Sequence, residues 1–99
     1  MRHYAMNITL KTFATIRDVV GGPERTVALT PGARLGDLLD TLTQIYGAPF
    51  DRQVRDQLTG HLVPFLILVN GTAFRSTQDL DHPLSEGDVV TFMIPFDGG

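Results

Sequence analysis

The residues with the most chemical promise are the last two. Gly98 and Gly99 close the chain after Pro95-Phe96-Asp97. A terminal glycine pair arises by chance in roughly one chain in two hundred at average glycine usage, so its weight comes from context. The context is an alternating strand pattern from Val89 to Ile94, stopped by Pro95, which leaves a short projecting tail. Such a tail makes few contacts. Glycine has no Cβ, so the tail can thread a narrow enzyme channel, and nothing crowds attack at the Gly99 acyl carbon. Activation of the Gly99 α-carboxylate, so that it carries a group, is the chemistry this ending fits. A frayed end without function is the competing reading.

The other reactive side chains are scattered. His61 and His82 stand in loop-like sequence, and Asp81-His82 are chain neighbours, a poor geometry for an oriented acid–base pair. Asp79, Asp81, Glu86 and Asp88 form an acidic cluster without the alternating oxygen pattern and central glycine of a calcium loop. Gly21-Gly22 is not followed by a clear helix, so it makes no phosphate cradle. Ser76 and Ser85 lack the neighbours of a nucleophile. No metal ligand set and no bound cofactor are expected.

Composition narrows the classes further. The 99 residues suit one domain with one core and little depth for an enclosed active site. There are no cysteines, which removes disulfides, thiolate metal sites and a cysteine nucleophile, and is compatible with a cytoplasmic location. The formal net charge is −3 and the basic residues are dispersed, so no nucleic-acid surface is expected. The longest apolar run, Pro64 to Val69, is too short to cross a membrane. Residues 1–6 read as a loosely ordered lead-in, with Met6 an alternative start; residues 7–95 form the domain and 96–99 the tail.

The elements that must position the tail follow from periodicity. Asn7 to Ala14 alternates as a strand, with Ile8, Leu10 and Thr12 on one face and Thr9, Lys11 and Phe13 on the other. Asp18 to Pro23 is a loose turn, and Arg25 to Thr30 a second strand with Val27 and Leu29 inward. Leu35, Leu38, Leu39, Leu42, Ile45 and Tyr46 recur at helical spacing, ended by Gly47 and Ala48-Pro49. Phe50, Val54 and Leu58 suggest a weaker helical stretch. Pro64 to Val69 is apolar at every position, the mark of a strand buried on both sides or central in its sheet. Asn70-Gly71 is a hairpin turn, Thr72-Ala73-Phe74 a short return strand, Leu80 and Leu84 irregular core anchors, and Val89 to Ile94 the last strand. A sheet with one main helix across one face satisfies this order: an α+β, β-grasp (ubiquitin-like) mixed sheet.

Three stretches carry a family resemblance. Phe13-Ala14-Thr15-Ile16-Arg17-Asp18, Leu66-Ile67-Leu68-Val69-Asn70-Gly71, and Leu84-Ser85-Glu86-Gly87-Asp88-Val89-Val90 with Pro95 and Gly98-Gly99 occur in order along the chain. From about Asn7 onward the sequence resembles the MoaD/ThiS family of ubiquitin-like sulfur carriers, closest to MoaD. The resemblance implies a mechanism. A ubiquitin-activating-type enzyme consumes ATP to adenylate the terminal carboxylate, sulfur replaces the adenylate, and the thiocarboxylate on Gly99 delivers sulfur, with Gly98 keeping the tail slim. In the MoaD branch the carrier is the small subunit of a molybdopterin synthase, a heterotetramer with a large subunit that holds the catalytic groups. The acceptor stays open among a pyranopterin, a thiazole precursor and tRNA. A protein modifier forming isopeptides through the same terminus, and a plain β-grasp interaction module, are the rival readings. Phe13 and Met93, on adjacent strands of the outer sheet face, with Pro95, Phe96 and Asp97 beside the tail, are the expected partner-binding residues. The chain departs from the family at Arg34 (a capping Thr elsewhere), at Ile94-Pro95 (Pro-Pro elsewhere) and at Asp97. The added length from Ala48 to Val63 favours the MoaD-like branch.

Overall fold

Met6, Ile8 and Leu10 alternate with polar residues, and all three are buried on one face of the first strand, β1 (Met6–Lys11). The computed structural model describes residues 5–94. β1 pairs antiparallel with β2 (Glu24–Leu29), Met6 opposite Leu29 and Lys11 opposite Glu24. Val27 and Leu29 point inward as expected. The expected loose connection between them is instead a helix, α1 (Ala14–Val20). Its apolar positions Ile16 and Val20 lie one turn apart and both are buried. The glycines mark its end: Gly21 and Gly22 donate their N–H groups to the Arg17 carbonyl, each at 3.0 Å. Arg25 folds back over that C-terminus, Nε to the Val20 carbonyl at 2.9 Å and a terminal nitrogen to Gly21 O at 2.8 Å, placing a cation at the negative end of the helix.

The main helix, α2 (Leu35–Tyr46), buries Leu35, Leu38, Leu39 and Leu42. Arg34 has no acceptor to offer as a cap. The first turn is fastened by Asp37, whose carboxylate accepts the Arg34 N–H at 2.8 Å. Ile45, expected in the core stripe, is exposed, and Tyr46 is half-buried. Pro49 does not end helical structure; it sits in the first turn of α3 (Ala48–Val54), where its missing N–H costs nothing. Phe50 and Val54 are buried, whereas Leu58 is 97% exposed. The chain has left the helix by then, and Asp56 accepts the N–H groups of Leu58 and Thr59.

β3 (Leu66–Val69) and β4 (Thr72–Arg75) form a hairpin through Asn70-Gly71, where φ values of 51° and 88° give the left-handed pair that a two-residue turn requires. β5 (Val89–Met93) pairs antiparallel with β3 and parallel with β1, giving the strand order β2-β1-β5-β3-β4. β5 is therefore the centre of the sheet. β3 is an inner strand, but only Ile67 and Val69 are buried, with Leu66 exposed and Leu68 half-buried. The helices cover one face alone. Leu84 is buried and Leu80 packs against the core at its edge. The architecture is the expected mixed five-stranded sheet with helices.

Three members of the acidic cluster are hydrogen-bonded within the fold. Asp88 accepts Asn70 Nδ2 and the Ser85 N–H, each at 2.8 Å, Asp79 accepts the Arg75 N–H, and Glu86 the Asn7 N–H. Ser76 is buried; its hydroxyl donates to Val63 O at 2.8 Å and accepts the Phe65 N–H at 2.9 Å. Ser76→Ala takes the hydroxyl from the buried Phe65 N–H and the half-buried Val63 carbonyl, and is expected to lower stability by about 1–3 kcal/mol in denaturant unfolding. Gly47 ends α2 and begins α3 at φ 69°, ψ −149°, a region closed to side-chain-bearing residues. Gly47→Ala is expected to lower Tm by about 5–15 °C.

Candidate functional site

All the predicted site residues except Phe13 depend on where β5 releases the chain. Val90 and Thr91 are held on one side by Leu10 and Lys11, and Phe92 and Met93 on the other by Ile67 and Leu66. Phe92 is buried, its ring 6.3 Å from Phe50 and edge-on to Phe65 at 5.7 Å. Ile94 packs half-buried against the same core. The exit point is thus gripped by two ladders and an aromatic cluster. Pro95, Phe96, Asp97, Gly98 and Gly99 lie outside the described residues.

Met93 turns away from the core and is 47% exposed. Its cross-strand neighbour Leu66 is 44% exposed, and Arg75 stands opposite Leu66 on β4. Pro64 and Thr77 complete a shallow groove around these three. Leu68 continues the strip inward between Ala73 and Thr91. Arg75 makes no ion pair among the described residues; the one found there joins Arg55 Nε to Asp51 at 3.0 Å on α3. The groove therefore offers apolar surface beside an uncommitted cation, at the end of the strand that leads to Gly99.

Phe13 is placed differently from expectation. β1 stops at Lys11, and Phe13 is the residue before α1, in extended conformation and 58% exposed. It stands beyond its strand rather than on it; across the β3–β5 ladder, Met93's apolar partner is Leu66. Sequence reading missed Leu66 because it took the Pro64 to Val69 run as buried on both sides or central in its sheet. The signal available was the parity of the strand, since Leu66 and Leu68 alternate with Ile67 and Val69.

Two of the described side chains with catalytic potential are otherwise engaged, while His61 is exposed and bonded through its backbone alone. His82 stacks on Phe74 with ring centres 4.0 Å apart. Ser76 is locked between two backbone groups. Among the described residues no group of three or more His, Asp or Glu side chains is arranged to hold a metal ion. None of their helices is long and apolar enough to cross a membrane.

Comparison with known proteins gives a consistent result. The family model described as the ThiS family matches residues 10–99. Small archaeal modifier protein 3 of Haloferax volcanii is 30% identical over 95 residues, covering 95% of this chain and 100% of its own. The crystal structure of SAMP1 from Haloferax volcanii superposes with a TM-score of 0.76 at 26% identity, covering 94% of this chain and 99% of that one. A Pyrococcus furiosus structure described as molybdopterin converting factor, subunit 1, superposes with a TM-score of 0.71 at 27% identity, covering 92% and 99%. With the fold, the exit strand and the match running together to the final glycines, the chain belongs to the ThiS family of ubiquitin-like sulfur carriers and modifiers.

Proposed function

We propose that this chain is a sulfur carrier acting through the carboxylate of Gly99, as the small subunit of a molybdopterin synthase. The observation that supports it best is the position of β5. The central strand carries the chain outward past Leu66, Met93 and Arg75, so a partner seated on that face lies where the tail begins. In this reading an activating enzyme of the ubiquitin-activating type docks there. The Gly99 carboxylate attacks the α-phosphorus of ATP, pyrophosphate leaves, and a sulfur donor then displaces AMP to leave a thiocarboxylate. ATP and the catalytic groups reside on partners, and the same face afterwards meets the synthase large subunit. Delivery to a pyranopterin accounts for the kinship with the Pyrococcus furiosus protein.

A second reading shares the adenylate and differs in its acceptor. A lysine amine in place of a sulfur donor gives an isopeptide, and the kinship with small archaeal modifier protein 3 favours it. The chain's single lysine, Lys11, leaves little scope for chains of itself.

The two readings separate by product. Incubation with ATP, a sulfur donor and the activating enzyme of the same cell, followed by trapping with a thiol-reactive alkylator and C-terminal peptide mass spectrometry, is expected to place sulfur on Gly99. The shift must be localised, because sulfur for oxygen nearly equals methionine oxidation and the chain has three Met. Adducts on lysines of other proteins, with no trapped thiocarboxylate, would move the assignment to a modifier. Deletion of Gly99 is expected to abolish sulfur transfer while leaving partner binding within about twofold, since buried side chains at the centre of an interface dominate its affinity. Leu66→Asp and Met93→Asp should each weaken binding of the activating enzyme about tenfold in calorimetry, with little change in Tm because both side chains face solvent.

A further inference from the structure

The two edges of the sheet are treated unequally. On β4, the Arg75 N–H donates to the Asp79 carboxylate at 2.8 Å, and the Arg75 carbonyl accepts the N–H groups of Gln78 and Asp79. The chain's own turn caps that edge at Arg75, leaving Ala73 as its one outward residue without such a cap among the described residues. β2 has no such cap. Thr12 donates its N–H to Pro23 O at 3.0 Å, which sets the phase of the β1–β2 ladder. Arg25, Val27 and Leu29 then exchange hydrogen bonds with Leu10, Ile8 and Met6. The phase is confirmed on β1, where the Thr9 N–H and the Asn7 carbonyl turn the other way, to Asp88 O and the Gly87 N–H. Glu24, Thr26 and Ala28 therefore direct their N–H and C=O groups outward, and these have no partner among the described residues. All three residues are exposed and no proline interrupts the strand. An edge of this kind adds an extended chain.

The surface beside the edge selects that chain. α2 packs across β2. Asp37, Asp40, Thr41 and Gln44 fall on one helical stripe next to the buried one, and with Leu29 and Ala33 they line an open groove at the end of β2. Asp40 has no partner among the described residues, and Asp37 commits one oxygen to the Arg34 N–H. A second copy added about a two-fold axis would set two such acidic stripes against each other, a like-charge arrangement that opposes pairing. A strand bearing cations gains from the same groups.

The geometry points to β2 as a docking edge for an extended, lysine- or arginine-bearing segment of another protein. The segment adds a sixth strand to the five of the sheet by pairing with Glu24, Thr26 and Ala28, and lays its cations along Asp37 and Asp40. Side chains alternate across a strand, so the cations occupy every second position. β1 lies between this edge and the Leu66–Met93 pair on β3 and β5, so both sites can be filled at once.

The test is a titration of the full ¹⁵N-labelled chain with the synthetic peptide Lys-Val-Lys-Val-Lys-Val-Lys at low ionic strength. The largest amide shifts are expected at Glu24, Thr26 and Ala28. Asp40→Asn should weaken binding about threefold, in line with an exposed ion pair. Thr26→Pro removes an outward N–H without breaking the β1 ladder and should abolish binding. Should that variant unfold, the same peptide with alternate amides N-methylated carries the test on the unaltered chain, and it should not bind. Shifts centred on Leu66 and Met93, undiminished binding by the N-methylated peptide, or concentration-dependent dimerisation through β2 in sedimentation would each overturn the assignment. None of these readouts involves Gly99, so they stand apart from the carrier chemistry.

Discussion

The pairing of β5 between β1 and β3 is the constraint on which the rest of the molecule rests. Without β5 the sheet is two separate strand pairs, because β1–β2 and β3–β4 share no ladder of their own. The strand joins them through a parallel pairing on one side and an antiparallel one on the other, and Phe92 ties the join to Phe50 and Phe65 beneath. The turns on either side are tied to it as well. Asn70 Oδ1 accepts the Val89 N–H and Asn70 Nδ2 reaches Asp88, so the tip of the β3–β4 hairpin is fastened to the start of β5. A strand held this way gives the residues that follow it a fixed origin.

Division of labour between the two sheet faces follows from the same arrangement. The helices occupy one side and bury Ile67, Val69, Val90 and Phe92, leaving the alternate residues of those strands to water. On the flanking strands the outward positions are polar or small: Asn7, Thr9 and Lys11 on β1, and Glu24, Thr26 and Ala28 on β2. Leu66 and Met93 break the pattern side by side at the exit end. Two large apolar side chains paired across a ladder cost little in stability, yet their placement concentrates adhesive surface at one spot.

Much of this was legible in the amino-acid order. The alternation in β1 and β2, the leucine stripe of α2 and the Asn70-Gly71 turn each encode local geometry in side-chain chemistry, and each is found where periodicity puts it. The errors share a cause. α1 was hidden because a seven-residue helix shows only two buried positions, Ile16 and Val20, among β-branched residues that also suit strands. The Pro64 to Val69 run was read as buried on both sides or central in its sheet because an all-apolar run does not say which sheet faces are covered, and Leu66 proved exposed. Pro49 was taken as a stop when it begins α3, since proline's lost N–H is equally harmless on either side of a helix boundary. Ile45 and Leu58 extend apolar stripes past the point where the backbone turns away. For the site, the exposure of Met93 and Phe13 agrees with the sequence reading, whereas the identity of Met93's neighbour required the register.

The parallel β1–β5 ladder has a temporal side. Leu10 and Val90 are partners at opposite ends of the polypeptide, so the central ladder cannot close during synthesis until Val89–Met93 has been made. A nascent chain holding only the earlier strands has two half-sheets whose inner edges, those of β1 and β3, both await the same missing segment. Long-range closure of this kind is slow, and open edges in the interim invite wrong pairings. The order of manufacture thereby imposes its own quality control: the segment that completes the fold is also the one that leads into the diglycine, so a terminus presented at its proper place certifies a finished domain behind it.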